Sequence, residues 1–389
     1  MAWTTTAAAR RLVVALVLAR AWGFEAGPRP RARLGALRRG PAPLGVAKAE
    51  VEEAPAYARL AVLCSVPVVW GTYAPAVKAV YGLPAPPPGA VFSLLYYVVA
   101  LACLSSLSRV RAGGPDDATS TSTRRGGAEE AVLGEESEEG TSADVARAGL
   151  ELGGYLYVGN LFQVVGLETV SADAAAFLVQ LTTVLVPVLE SVASRRAVAR
   201  ETALACAVAF AGVAVLCAEG LSVDASAAGG DLCVVAAALL YSLHVVRLSA
   251  IAPRVAPLRL ATSKAAVETG LAVAGVLALA ALTPFDDGRA FFAALPTADG
   301  ATLAALATAT LWCGAVTCAY TIWAQSFGQR VVSPSRANLV YTSQPVFSAA
   351  FALLLLGEVP TPATLAGGGL ILAAVLTELS RGDPGDDEV

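Results

Sequence analysis

About ten hydrophobic stretches follow one another along this chain, and most are long enough to cross a lipid bilayer as a helix. We predict membrane spans near residues 60–80, 90–108, 148–167, 170–190, 201–219, 231–251, 258–282, 301–327, 334–356 and 362–380. A chain that meets lipid over most of its length cannot fold as a water-soluble globule. Function is therefore sought in polar side chains within the spans, because lipid rejects them.

The composition agrees with this class and excludes several kinds of site. Hydrophobic residues make up 56% of the 389-residue chain and charged residues only 15%, against about 25% in a soluble domain. The seven cysteines lie in or at the ends of apolar spans, without the paired spacing that a metal needs. We therefore predict no metal, no cofactor and no disulfide framework. A phosphate-binding glycine loop and a basic patch for nucleic acid are also absent from the sequence.

Loops that carry arginine alternate with loops that do not. Arginines lie in the loops that follow the second, fourth, sixth, eighth and tenth predicted spans, such as Arg195, Arg196 and Arg200 after the fourth. Arg289 is the only basic residue in the loops that alternate with them. Because basic loops stay on the cytoplasmic side, both ends of the membrane domain are predicted on the cytosolic or stromal-equivalent face. This arrangement requires an even number of spans.

The N-terminal residues 1–59 have the composition of a targeting presequence. Residues 1–23 resemble a signal peptide, with a basic start, a short apolar core and small residues before Phe24. Residues 24–59 are rich in arginine and poor in acids, as transit peptides are. We predict delivery to a plastid envelope by this bipartite presequence. A plain secretory signal, leading to an endomembrane or the plasma membrane, is the alternative.

Two further segments are too polar to fold into a core. The loop 111–144 is rich in Gly, Ser, Thr and Glu, and the tail 381–389 is acidic. Both are predicted to be disordered.

The chain matches itself at an offset of roughly 160 residues. Residues 157–187 and 320–345 share three features: a helix end with aromatic and polar residues, a serine turn that starts a new helix, and an internal proline. Ser171 and Ser333 are the predicted N-caps of the new helices. We therefore predict an all-α integral membrane protein of about ten helices in two five-helix repeats, 60–219 and 220–380. Since five is odd, the second repeat enters the membrane from the opposite side, as in secondary transporters.

These motifs resemble the EamA type of the drug/metabolite transporter superfamily. Residues 333–375 match its pattern of a Ser-Pro turn, an internal proline, Leu-Gly-Glu, Thr-Pro and a glycine-rich last helix. Residues 70–78 (WGTYAPAVK) match in the first repeat, where the Leu-Gly-Glu element is missing. The resemblance covers about residues 60–380 and implies a transporter fold, but it does not specify a substrate.

The function predicted from these observations is secondary transport of a small organic metabolite by alternating access. A membrane enzyme is the first alternative, but one histidine and scattered acids supply no catalytic constellation. A pigment-binding or structural membrane protein is the second, prompted by a lysine inside a span, Lys264. We predict that the chain is not an enzyme and that its partners are the bilayer and a small molecule, with a homodimer left open.

Polar residues inside the spans are the candidates for a substrate cavity. They are Lys78, Gln163, Gln180, His244, Glu268, Tyr320, Asn338, Tyr341 and Gln344. Hydrogen bonding between helices would explain some of them without any substrate.

The charged candidates also have interpretations that involve no substrate. Lys78 lies near a helix end, where a lysine can extend to the membrane surface instead of the cavity. Lys264 and Glu268 are four residues apart on one helix face, so they form either an ion pair or a proton-coupled site. His244 is either a proton relay or a histidine hydrogen-bonded between helices. Glu190 pairs with nearby arginines in the simplest reading.

Overall fold

The structure is a computed structural model. It describes residues 56–112, 141–167, 169–170, 172–218 and 228–381. Several predictions lie outside these residues: nearly all of the presequence 1–59, most of the loop 111–144, the N-cap Ser171 and the tail from residue 382 onward.

The described chain is built from helices, in the following order. They are α1 Ala56–Gly71, α2 Tyr73–Tyr81, α3 Gly89–Ala112, α4 Ser142–Gly166, α5 Ala172–Val179, α6 Thr182–Ser194, α7 Arg200–Cys217, α8 Ala228–Ile251, α9 Pro257–Leu282, α10 Asp286–Ala294, α11 Gly300–Leu311, α12 Thr321–Gly328, α13 Pro334–Tyr341, α14 Gln344–Leu356 and α15 Pro362–Leu379. A π-helical segment, Trp312–Tyr320, joins α11 to α12.

Nine helical spans within the described residues are long and apolar enough to cross a membrane. The predicted span 148–167 is not among them, although it falls within α4, which has 25 residues. Glu151, Asn160 and Gln163 lower the hydropathy of that helix. Where it is described, the chain is thus an all-α membrane protein, as predicted.

Two of the predicted spans, one in each half of the chain, are broken at equivalent positions into pairs of shorter helices. The span of α5 and α6 breaks at Gln180–Leu181, and the span of α13 and α14 breaks at Thr342–Ser343. At both breaks the backbone makes tight bonds to the third residue back, such as Thr183 N–H to Gln180 O and Ser343 N–H to Val340 O. Both spans were predicted to be continuous.

The two broken spans have equal dimensions. Helices α5 and α13 each have 8 residues, and α6 and α14 each have 13. Helices α7 and α15, which follow them, each have 18. Ala172 to Pro334, Thr182 to Gln344 and Arg200 to Pro362 are all separated by 162 residues. This separation agrees with the offset found in the sequence.

Small residues let helices approach closely at several crossings. A Cβ on Gly212 of α7 would lie 2.7 Å from the carbonyl oxygen of Gly367 on α15. A Cβ on Gly71 would lie 2.7 Å from the Cβ of Phe347 on α14. Packing of this kind, instead of hydrophobic burial, brings membrane helices together. It fixes α1 against α14 and α7 against α15, so both contacts join the first half of the chain to the second.

Two stretches for which no membrane span was predicted are helical. Helix α1 begins at Ala56, before the predicted end of the presequence at residue 59, and Arg59 is 2% exposed with its guanidinium over the ring of Phe327. The predicted loop around Asp286 contains the short helix α10, whose Phe291 is buried. Asp286 and Asp287 lie in the first turn of α10, where carboxylates are favourable.

Helix α11 begins at a side-chain cap outside the membrane spans. The carboxylate of Asp299 accepts a hydrogen bond from the backbone N–H of Thr302, with an N–O distance of 2.8 Å. Hydrogen bonds from the side chain and the backbone of Thr302 lower the pKa of Asp299. Asp299 is therefore ionised at neutral pH and caps the helix as an anion.

Candidate functional site

A cavity of about 370 Å³ lies between the two halves of the chain. This volume is in the range of sites that hold small organic molecules. Its lining comes from both halves and is as follows: Trp70, Tyr73, Tyr96, Tyr97, Leu156, Asn160, Gln163, Val179, Gln180, Thr182, Tyr241, His244, Val245, Glu268, Thr317, Cys318, Thr321, Ile322, Gln325, Asn338, Tyr341, Thr342 and Gln344.

The structure brings most of the predicted site residues to this cavity. Those that line it are Gln163, Gln180, His244, Glu268, Asn338, Tyr341 and Gln344. They come from five separate segments of the chain, so only the folded structure assembles them.

Lys78 and Tyr320 were placed in the cavity from the sequence, but the structure places both outside its lining. The Lys78 side chain is 62% exposed and forms an ion pair with Glu358, beyond the end of α14. The Tyr320 hydroxyl lies 2.7 Å from the hydroxyl of Ser65 on α1. Lys78 therefore joins two helix ends, and Tyr320 joins two helices.

Two glutamines occupy corresponding positions on the cavity wall. Gln163 on α4 and Gln325 on α12 are separated by the same 162 residues as the broken helices. Gln163 accepts a hydrogen bond from the Tyr241 hydroxyl, with an O–O distance of 2.8 Å. Gln325 is 4% exposed. Each amide presents both a donor and an acceptor, so the wall can bind polar groups of either kind.

Aromatic rings form much of the remaining wall. The Trp70 and Tyr341 ring centroids are 5.3 Å apart, and those of Tyr96 and Tyr97 are 4.7 Å apart. Tyr73 meets the edge of Tyr96 at 6.2 Å. The sequence analysis missed the three tyrosines at positions 73, 96 and 97. Their phenol hydroxyls inside apolar spans could have predicted them, since a buried hydroxyl needs a hydrogen-bond partner.

The π-helical segment also borders the cavity, through Thr317 and Cys318. The Thr317 hydroxyl donates to the carbonyl of Cys313, and the Thr321 hydroxyl donates to the carbonyl of Thr317. Such segments often occur at functional sites because they redirect side chains within a helix. The sequence carries no proline or glycine pair that would have predicted this segment.

Ionisable groups gather on one side of the cavity. Glu268 is the single acidic residue among the described lining residues, and His244 of α8 also lines the cavity. Lys264, one turn before Glu268 on α9, is fully buried at 0% exposure and is not part of the lining. A charge inside the membrane is costly, so a charge on this wall requires a compensating group.

One end of the helix bundle joins the two halves through buried hydrogen bonds. We call it the Glu190 end. There the Glu190 carboxylate accepts from the backbone N–H of Ser335, at 2.9 Å, and from its hydroxyl. The Thr202 hydroxyl of α7 donates to the buried carboxylate of Glu378 on α15, at 2.7 Å. Glu190 thus satisfies the N-terminus of α13, in place of the predicted pairing with nearby arginines.

The opposite end, which we call the Lys78 end, is joined by more exposed contacts. Lys78 pairs with Glu358 there, and both side chains are at least half exposed, at 62% and 50%. The Trp312 indole N–H donates to the Thr72 hydroxyl at 2.8 Å in an exposed position. The two ends of the cavity are therefore closed by different kinds of contact.

The fold and the cavity together define a multi-pass helical membrane protein with a polar, aromatic-walled chamber between its halves. Residues 228–378 match the family model described as the EamA-like transporter family. The recognition of an EamA-type protein of the drug/metabolite transporter superfamily is thereby confirmed. The family is one of small-molecule transporters.

Comparison with solved structures supports the fold alone. A crystal structure, described only as that of a protein, is similar with a TM-score of 0.60 at 16% sequence identity. The match covers 84% of this chain and 99% of that chain. No curated protein matches the sequence.

Proposed function

We propose that this protein is a secondary transporter that moves a small organic metabolite across a membrane by alternating access. The observation that carries this proposal is the cavity of about 370 Å³, lined by polar residues from both halves of the chain. A site shared by two halves can open to either face when the halves move relative to one another. The EamA match over residues 228–378 supports the same function.

The two halves are further proposed to be inverted repeats of five spans each, residues 60–219 and 220–380. Three consecutive helices of the first half have the same lengths as three consecutive helices of the second half, and each matching pair is separated by 162 residues. This correspondence supports a repeat. The hydroxyls of Thr183 and Thr342 lie 2.9 Å apart, so the two broken spans meet beside their breaks. An odd number of spans in each repeat supports the inversion, since the second repeat then starts on the opposite face.

We place the Glu190 end on the cytosolic or stromal-equivalent face. Arg195, Arg200, Arg254, Arg330 and Arg381 all follow or precede helix ends there. Basic residues near span ends favour this face. Single cysteines introduced at residue 222 and at residue 120 should react with a membrane-impermeant thiol reagent from opposite faces of the membrane. Labelling of both from one face would overturn the orientation.

The membrane is proposed to be a plastid envelope, reached by the presequence 1–59. Support comes from the signal-like core and the arginine-rich stretch that follows it. A fluorescent protein fused to residues 1–59 should reach the plastid envelope in a plastid-bearing alga. Secretion of the fusion, or its retention in the endoplasmic reticulum, would refute the proposal.

A metabolite uptake screen in proteoliposomes tests the transport function. Purified protein should raise the uptake of at least one metabolite above that of empty liposomes. For that metabolite, Gln180→Leu and Tyr341→Leu should each reduce uptake at least about tenfold, since losing one hydrogen bond to a polar substrate costs about 1.5 kcal/mol.

Leu354→Ala is the control for the uptake screen, because Leu354 is 74% exposed on the lipid-facing side of α14. Its uptake should equal that of the wild type, and all variants should be compared at equal reconstituted amounts. Wild-type uptake by both polar variants would place the substrate site elsewhere.

A further inference from the structure

Three ionisable side chains meet in the membrane interior beside the cavity. Lys264 and Glu268 lie on α9, and His244 lies on α8, where it interacts electrostatically with Lys264. Their exposures are 0%, 1% and 1%. All three are therefore removed from bulk water, yet two of them, Glu268 and His244, border the cavity.

Each of these side chains has a polar atom without a hydrogen-bond partner. The atoms are Nζ of Lys264, Oε1 of Glu268 and Nε2 of His244. A buried polar atom without a partner costs about 1–3 kcal/mol, and an ionised one costs more. Polar side chains that only hold helices together would instead have hydrogen-bond partners, as Tyr241 and Gln163 do. Two of these atoms, on Glu268 and His244, belong to lining residues, so a group in the cavity can satisfy them.

The position of Lys264 limits what the wall can receive. Lys264 is outside the cavity lining, and helix α4 packs directly over its backbone, where a Cβ on Gly153 would lie 2.8 Å from the Lys264 carbonyl oxygen. A substrate in the cavity therefore contacts Glu268 but not the buried Lys264. Lys264 acts on the cavity as a counter-charge to Glu268, with which it interacts electrostatically.

The other groups that face Glu268 from neighbouring helices carry no charge at neutral pH. Tyr97 of α3, Tyr241 of α8 and Cys318 of the π-helical segment interact electrostatically with this carboxylate. Helix α4 contributes Gly153 to the contact with α9, and α12 contributes uncharged lining residues. Among these groups Lys264 is the one cation near Glu268, and His244 on the lining interacts electrostatically with Lys264.

We propose that Glu268 is a reversible proton-binding site of the cavity, with Lys264 as its counter-charge. A hydronium ion in the cavity transfers a proton to Oε1 of Glu268: one O–H bond of the hydronium breaks, leaving water, and one O–H bond forms on the carboxylate, which becomes a neutral carboxylic acid. The reverse step returns the proton to water when the cavity faces the other side. The charge of the wall changes by one unit in each direction.

A metal cation suits this wall poorly. Hard cations need several oxygen ligands, whereas Glu268 is the single carboxylate here and an ammonium group lies one turn away. No group of three or more metal-binding side chains occurs among the described residues. A proton needs only one oxygen atom.

The role of this proton site rests on the proposed transport function. In that role the bound proton couples substrate movement to a pH gradient. A ligand changes a two-state equilibrium only by as much as its affinities for the two states differ. A protonated Glu268 and an ionised Glu268 present different charges to the cavity. Substrate binding and the exchange between inward-open and outward-open states then depend on the bound proton.

Infrared titration of the purified protein tests the proton site without any substrate. A carboxylic acid C=O band should appear and disappear reversibly between about pH 5 and about pH 9, a range in which ordinary exposed carboxylates stay ionised. Glu268→Gln should remove this band. Glu358→Gln, which alters an exposed, ion-paired carboxylate, should leave it unchanged.

Two further variants keep the test decisive if Glu268→Gln fails to fold. Glu268→Asp keeps a carboxyl group on a shorter side chain, so it should shift the frequency of the band. Lys264→Met removes the neighbouring positive charge, so the band should persist to more alkaline pH than in the wild type. A titrating band that none of the Glu268 and Lys264 variants alters, or no titrating band at all, would overturn the proposal.

The infrared result is independent of the uptake screen. If the screen finds a metabolite and the band is absent, transport stands and the proton site fails. If the band titrates as expected and the screen fails, the proton site stands and the transport function is in question.

Discussion

The Glu190 end and the Lys78 end both join the first half of the chain to the second, but by different physical means. At the Glu190 end most joining groups are buried: Ser335 is 0% exposed, Glu378 is 4% exposed and Thr202 is 6% exposed. At the Lys78 end the two side chains of the ion pair are 62% and 50% exposed. Breaking the first set of contacts leaves buried polar groups without partners, whereas water replaces the second set at once.

This difference indicates which end opens more easily. An exposed ion pair is worth at most about 1 kcal/mol, and side-chain entropy and salt reduce even that. Each buried hydrogen bond lost without a replacement costs about 1–3 kcal/mol. We therefore expect the Lys78 end to open at a smaller free-energy cost than the Glu190 end.

The largest effect is expected for Glu190→Ala. This change leaves the Ser335 N–H at the N-terminus of α13 without its acceptor, and we expect a loss of about 2 kcal/mol in stability. Thermal unfolding in detergent measures it. Glu190→Gln, which keeps an acceptor oxygen, should lose less.

Glu201→Ala is the control for Glu190→Ala, since Glu201 is an exposed acid at the same end of the bundle. A surface change of this kind should alter stability by less than about 0.5 kcal/mol. Equal losses for the two alanine variants would remove the distinction between buried and exposed contacts.

A smaller effect is expected at the contact between the two broken helices. Thr183→Val removes one of two hydroxyls that lie 2.9 Å apart, and it should cost about 1 kcal/mol. Thr342→Val removes the other. A double-mutant cycle on thermal stability should give a coupling of about 0.5–1 kcal/mol. Strict additivity of the two changes would show that this contact does not hold the halves together.

The smallest effect is expected at the Lys78 end. Lys78→Met and Glu358→Gln should each change stability by less than about 1 kcal/mol, and high salt should weaken the wild-type pair because exposed charges are screened. Unfolding measured at low and at high salt provides the check. A loss as large as that of Glu190→Ala would contradict the proposed order of opening.

The sequence predicted the class of the fold because hydropathy over a whole span is a strong signal. The helix positions agree to within a few residues, and the repeat offset of roughly 160 corresponds to the 162 residues between matching helices. Seven of the predicted site residues line the cavity, because a polar side chain in a span must face protein or water.

The sequence did not predict the helix breaks or the π-helical segment. Pro345 lies in the first turn of α14, where its missing N–H does no harm, so the new helix starts at Gln344. Pro187 lies inside α6, well past the break at Gln180–Leu181, so it does not mark that break. Tertiary packing determines such features, and a pattern of residue types does not record it.

Lys78 shows why a charge near a helix end is a weak indicator of a site. Its span runs as two helices, α1 and α2, and the lysine lies in the last turn of the second. From there its side chain reaches Glu358, a residue that follows α14. Only the structure shows that these two segments end side by side.

The central claim is that the cavity faces each side of the membrane in turn, and Cys318 provides the most direct test. Cys318 lines the cavity, so it can report access once the other six cysteines are replaced by alanine. A membrane-impermeant thiol reagent is applied to right-side-out and to inside-out vesicles. Leu354→Cys in a cysteine-free background is the lipid-facing control and should not react in either case. The account predicts labelling of Cys318 in both orientations. Labelling in one orientation only, or in neither, would contradict it.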